Sequence, residues 1–148
     1  MATVNRRVFL LSTIPIPLYP AAPLQFFSAA EARIVEALCD QVIPADDLPG
    51  AKAAGVLYYI DRQLAGPLKR FQPRYRRQLP AFQTLPDLSF AEQTAFLHGL
   101  KGEPAAFFNL VIDHTMQGFY GSPAHGGNRN EASWKMLGIQ DMMGGHSH

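Results

Sequence analysis

The side chains that could run a reaction are few and poorly spaced for it. The chain carries five histidines, His98, His114, His125, His146 and His148, and one cysteine, Cys39. No two histidines stand at the i, i+4 spacing that puts two metal ligands on one helix face. His146 and His148 fall in a terminal stretch without the fixed surroundings a metal site needs. Asp113 and His114 are neighbours, but adjacent residues on a helix point about 100° apart, so they do not form an acid/base pair. The expectation for His114 is a surface or core-edge position. Asp46 and Asp47 belong to the turn Asp46-Asp47-Leu48-Pro49-Gly50, where aspartate serves the backbone. One cysteine excludes an intrachain disulfide, a CxxC zinc site and a CxxCH haem site. Cys39 falls on an apolar helix face and reads as a small core residue. No dinucleotide-binding glycine motif, P-loop or G-x-S-x-G elbow occurs. No catalytic residue, cofactor ligand or metal ligand is therefore assigned.

The most distinctive residues are near the end: Tyr120-Gly121-Ser122-Pro123-Ala124-His125-Gly126-Gly127-Asn128-Arg129, followed by Trp134-Lys135 and Gly138. Gly126-Gly127 permits positive φ and close backbone approach. Arg129 offers a rigid fork of donors suited to a carboxylate or to carbonyls. Trp134 is the only tryptophan and a typical anchor for a protein contact. Two uses of these residues are compatible. The loop can fold back on its own helices, with Trp134 in the core and Arg129 on backbone carbonyls, and still present a face to a partner.

These residues are positioned by a chain of 148 residues, enough for one domain with a short extension. The pattern predicts an all-α fold of helices broken by proline and glycine. Ser28-Ala29-Ala30-Glu31 is a capping box opening a helix with Ile34, Val35, Leu38, Cys39, Val42 and Ile43 on its apolar side, stopped by Pro44. A second helix is expected from Ala51 to Ala65, burying Ala53, Val56, Leu57, Ile60 and Leu64, and closed by Gly66-Pro67. The stretch from Arg74 to Phe82 is expected to be helical. Ser89-Phe90-Ala91-Glu92 is a second capping box, its helix carrying Phe96, Leu97 and Leu100 and broken by Gly102. Pro104 is expected as the first residue of a helix burying Phe107, Phe108, Val111, Ile112, Thr115 and Phe119. A turn of helix is expected over Trp134 to Leu137. The expected organisation is a leader at 1–27, a helical domain at 28–141 and a disordered tail at 142–148.

The apolar fraction of 47% with only 17% charged residues leaves more apolar surface than one small core absorbs, which favours a partner interface. A formal net charge of +1 gives no field for nucleic acid. The basic group Lys69, Arg70, Arg74, Arg76 and Arg77 reads first as a solvated helix face and second as a docking patch for an acidic surface.

Asn5-Arg6-Arg7-Val8-Phe9-Leu10-Leu11 has the form of a twin-arginine export signal, with Arg6, Arg7, Phe9 and Leu10 as the residues to be read. Pro15, Pro17, Pro20 and Pro23 interrupt the apolar stretch that follows, so it is not a membrane span. No clean small-x-small cleavage site precedes Ser28, so the segment can be retained and packed on the protein or its partner.

Together these residues resemble the family of gluconate 2-dehydrogenase subunit 3. The resemblance rests on Arg6-Arg7, on the opening helix running into Leu38-Cys39-Asp40-Gln41-Val42-Ile43-Pro44, and on the signature Tyr120…Gly126-Gly127-Asn128-Arg129…Trp134-Lys135…Gly138. It implies a non-catalytic small subunit of a periplasmic, membrane-associated dehydrogenase for a sugar or polyol. In such complexes a large subunit holds FAD and a multihaem cytochrome c subunit can take the electrons. This chain would bind no cofactor itself. It would bind the flavin subunit in the cytoplasm and carry it through the twin-arginine translocase. By the same resemblance Tyr120, Gly126, Gly127, Asn128, Arg129, Trp134 and Lys135 would face the partner. The rival expectation is a free-standing periplasmic enzyme or small-ligand binder with a pocket of His125, Arg129 and Trp134.

Overall fold

Apolar side chains at i, i+3, i+4 and i+7 decide the architecture, because each such stripe must be covered by another helix. In a computed structural model, which describes residues 23–138, six α-helices do this and no strand occurs among the described residues. They are α1 (Ala29–Val42), α2 (Val56–Leu64), α3 (Gln72–Gln78), α4 (Phe90–His98), α5 (Gly102–Tyr120) and α6 (Ala132–Leu137). Short 3-10 turns join several of them. None of the described helices is long and apolar enough to cross a membrane. Arg6, Arg7, Phe9, Leu10 and the tail expected at 142–148 lie outside the described residues.

Both capping boxes form. The Ser28 hydroxyl accepts the Glu31 amide at 3.2 Å and the Glu31 carboxylate accepts the Ser28 amide at 3.0 Å. Ser89 and Glu92 repeat the exchange at the start of α4. Each cap satisfies amides that would otherwise lack a partner, worth about 1 kcal/mol.

Helix α5 lies across α1 and α2, which also pack on each other. The core between them holds Val35, Leu38, Ile60, Leu64, Val111 and Phe119. Tyr75 from α3 and Phe82 just after it complete this core against Phe107 of α5. Tyr75 and Phe107 meet edge to face at 5.0 Å, and Phe82 lies 5.7 Å from Phe107. Burying a side chain of this size contributes about 1.5–3 kcal/mol, so a few such residues outweigh every surface contact in the molecule.

Residues 24–27, expected to belong to the leader, are built into this domain. Phe27 is buried, and Asp61 of α2 holds the chain there. Its carboxylate accepts the backbone amides of Gln25, Phe26 and Phe27 at 2.7, 2.9 and 2.9 Å. Arg76 adds a clamp from outside. Its guanidinium donates to the Phe26 carbonyl and to Glu31 and sits 4.0 Å above the Phe26 ring.

Four local expectations are corrected. The second helix begins at Val56 rather than Ala51, because Gly55 is left-handed at φ 71° and breaks the run. Ala53 is consequently exposed, and Ala51 and Ala54 are buried instead. Gly102 opens α5 and does not end α4, which stops at His98 with Gly99 as its cap and leaves Leu100 in the connection. Pro104 therefore sits two residues inside the first turn of α5, where its missing amide is still not needed. Phe108 and Ile112 are half-buried rather than enclosed. Finally, His114 is buried on the α5 face that carries Phe107 and Val111, not at the surface.

The basic group does not act as one face. Arg74 pairs with Glu103 at 3.0 Å, Arg76 is the clamp just described, and Arg70 lies over the Phe71 ring. Lys69 and Arg77 remain exposed.

Candidate functional site

The glycine-rich segment begins where α5 runs out at Tyr120. Ser122 caps a 3-10 turn over Pro123–His125, and Gly126 at φ 96° turns the chain back toward α2. Gly127 then passes against α5 so closely that a Cβ there would overlap the Gly118 carbonyl oxygen. A Cβ on Gly118 would in turn lie 2.6 Å from the Tyr59 ring. Two glycines from separate elements thus meet where no larger residue fits.

Asn128 locks the return. It is fully buried, in the left-handed region at φ 47°, and both polar atoms of its side chain are used. Its Nδ2 donates to the Gly121 carbonyl at 2.9 Å, while its Oδ1 accepts the Ser133 amide at 2.9 Å and hydroxyl at 2.8 Å. Asn130 and Glu131 also have positive φ, 58° and 54°. A left-handed conformation costs a residue with a Cβ roughly 1–2 kcal/mol, which the Asn128 bonds must offset.

Arg129 joins the loop to α2. Its amide donates to the Ala54 carbonyl at 2.9 Å. Its side chain crosses Gly55, occupying the space a Cβ would take, and its guanidinium carbon sits 4.4 Å above the Tyr58 ring. This is the second reason residue 55 is glycine. The first turn of α2 cannot extend backward because the arginine lies across it.

The expected contact residues therefore divide into two groups. Gly127 and Asn128 are buried and act from within. Arg129 and Trp134 are half-buried, with the Trp134 indole N–H donating to the Tyr120 carbonyl at 3.2 Å. Tyr120 and Lys135 are exposed, and Gly126 is half-buried. Arg129 is not on backbone carbonyls but on an aromatic face.

Two clefts meet at Arg129. One, about 370 Å³, is lined by Leu48, Pro49, Ala53, Ala132, Lys135 and Met136 along with Arg129 and Asn130. The other, about 190 Å³, is lined by Pro23, Gln25, Tyr58, Asp61, Arg62, Gly126 and Arg129. His125 and Trp134 line neither, so the three residues of the rival pocket are not gathered around one cleft. Exposed large apolar residues border the region: Leu48, Tyr120, Met136 and Leu137.

The buried titratable groups lie elsewhere. The Tyr75 hydroxyl is 2.8 Å from His114 Nδ1, and the two rings lie parallel. Burial pushes the Tyr75 phenol well above its ordinary pKa, so it keeps its proton, and the phenol and the imidazole share one hydrogen bond. Burial lowers the His114 pKa, with Arg70 acting the same way and Asp113 opposing, so the ring is neutral at pH 7. Cys39 accepts a hydrogen bond from the Thr115 hydroxyl at 3.3 Å, and burial pushes its pKa up to about 12. A thiol held in that form is not a nucleophile. Among the described residues no group of three His, Cys, Asp or Glu could hold a metal ion.

Sequence reasoning passed over Asp61, Tyr58, Tyr59 and Arg62. Asp61 carried a signal: it stands in the apolar stripe Leu57, Ile60, Leu64 of α2, and an acid on a buried stripe needs partners. Tyr58, Tyr59 and Arg62 carried none, because their part is to receive a loop more than 60 residues further on.

A family model described as Gluconate 2-dehydrogenase subunit 3 matches residues 29–140, well over half of the chain. The comparisons with curated proteins and with solved structures return no match.

Proposed function

The chain belongs to the gluconate 2-dehydrogenase subunit 3 family, and from that membership we propose that it is the non-catalytic small subunit of an FAD-dependent sugar or polyol dehydrogenase. By family this is a subunit of a dehydrogenase complex, associated with a catalytic subunit. In the proposed complex the catalytic subunit holds the flavin, a cytochrome c subunit can receive its electrons, and this chain contributes no reacting group. Arg6 and Arg7 recruit the twin-arginine translocase to the assembled pair, which places the complex in the periplasm at the membrane.

The observation that carries this reading is the family match across residues 29–140, which includes the Gly126-Gly127-Asn128-Arg129 signature. The geometry supports it. The signature loop is fastened from inside, so it can hold an apolar rim of Leu48, Met136 and Leu137 in a fixed shape without a partner present. Preformed surfaces bind with less ordering cost than loops that must fold on contact.

The test is to change Arg6 and Arg7 together to Lys in the native host and to assay dehydrogenase activity in separated periplasm and cytoplasm. The expected result is activity retained in the cytoplasm. Unchanged periplasmic activity would remove the escort role.

A further inference from the structure

Three arginines among the described residues have carboxylate partners; Arg70 and Arg77 have none, and neither do the two beside the signature loop. Arg33 pairs with Asp87, Arg74 with Glu103 and Arg76 with Glu31. Arg62 and Arg129, which line the smaller cleft together, make no ion pair and no side-chain hydrogen bond among the described residues. The one acid in that cleft, Asp61, is buried, and both its oxygens are taken by the amides of Gln25, Phe26 and Phe27. It lessens the local positive charge but offers the two guanidinium groups no hydrogen bond.

Arg129 is also held ready. Its amide is fixed to Ala54, its side chain is laid across Gly55, and its guanidinium plane rests on Tyr58. A fork already ordered this way loses little freedom when it takes a carboxylate, and an aromatic neighbour excludes water from one side. The cleft's volume of about 190 Å³ leaves room for an acidic side chain. The same arginine is shared with the larger cleft of about 370 Å³, whose apolar residues Leu48, Ala53 and Met136 are open to solvent to differing degrees. An anionic site and an apolar groove are thus set side by side with one residue common to both.

We infer that these two clefts receive one segment of the catalytic subunit, its Asp or Glu carboxylate between Arg62 and Arg129 and a nearby large apolar side chain against Leu48 and Met136. This rests on the reading of the chain as a dehydrogenase subunit and names the chemistry of the partner at that surface. The commitment to an acidic segment comes from charge complementarity, since two unpaired guanidinium groups exclude a basic one. The apolar half supplies the desolvated anchor that a lone surface ion pair lacks.

The experiment uses the catalytic subunit recovered with tagged full-length chain from the native host, then separated and rebound. Dissociation constants are measured for wild type, Arg62→Glu, Leu48→Lys and Arg77→Glu at low and high salt, with circular dichroism confirming each fold. All three altered residues are exposed, so their replacement leaves the core untouched. The inference expects Arg62→Glu and Leu48→Lys each to weaken binding by roughly tenfold or more, and Arg77→Glu to leave it unchanged. It also expects the wild-type affinity to fall with salt and the Arg62→Glu affinity to do so less. Wild-type affinity for both cleft variants would overturn the inference while leaving the subunit reading intact. A self-association abolished by Leu48→Lys, with catalytic-subunit binding unaffected, would overturn it by assigning the groove to a second copy. Recovery of no dehydrogenase with the wild-type chain would overturn the subunit reading and this inference together.

Discussion

The aromatic core and the signature loop hold their shapes by different physics. Around Phe107, Tyr75 and Phe82 the chain is held by area removed from water, which is non-directional and tolerates exchange of similar volumes. Between Gly118 and Ser133 it is held by close backbone approach at Gly127 and by the three bonds of Asn128, which tolerate almost nothing. The core can therefore be specified by many sequences and the loop by few. The distinctive residues Gly127 and Asn128 thus act as fasteners of the loop.

The sharpest way to break this comparison is to attack both regions and ask whether they fail separately. Phe107→Ala removes a fully buried ring from the contact with Tyr75 and Phe82 and should cost about 3–5 kcal/mol, read as a large drop in the urea midpoint. A loss under about 1 kcal/mol would mean that this ring is not central to the core. Gly127→Ala forces the loop off Gly118 and should cost about 1–3 kcal/mol. Far-ultraviolet dichroism should stay near wild type while Trp134 fluorescence shifts, because only the turn holding the indole to Tyr120 is displaced. Loss of helix equal to that in Phe107→Ala would show one cooperative unit rather than two.

The smallest effect concerns pH and sharpens the account of the core. His114 has its pKa lowered from 6.5 by burial. The unfolded chain therefore takes up a proton that the folded His114 refuses, and stability is complete above the ordinary value and falls as pH drops below it. The melting midpoint should begin to decline as the pH falls through about 6.5. His114→Gln should flatten that slope, and an unchanged slope would show that the ring is not the group responsible. Glu31, whose bonds to Arg76 and Ser28 outweigh its burial and lower its pKa, acts below 4.5 and so outside this window.

How much was legible in the sequence follows the same division. The all-α fold, both capping boxes and the core positions Val35, Leu38, Phe107 and Val111 were readable, because a helix face repeats every 3.6 residues and its caps are local. The start of α2 was not, because Gly55 answers to Arg129, 74 residues away in the chain. Pattern reading has no access to such a partner. In the loop, residue types were legible as special but their direction was not. Asn128 points inward to Ser133 and Gly121, and Arg129 outward between two clefts, although both stood in one four-residue motif. Asp61 was the missed opportunity, an acid on an apolar stripe that turned out to hold residues 25–27.

By family this chain is a subunit of a dehydrogenase complex, and the proposed flavin partner is open to direct test. The most direct measurement is purification of the chain from the native host under gentle conditions, with identification of what accompanies it and a visible spectrum of the product. The account predicts a large co-purifying subunit and a flavin spectrum belonging to that subunit. A colourless chain that elutes alone, stays stable and remains monodisperse would contradict it.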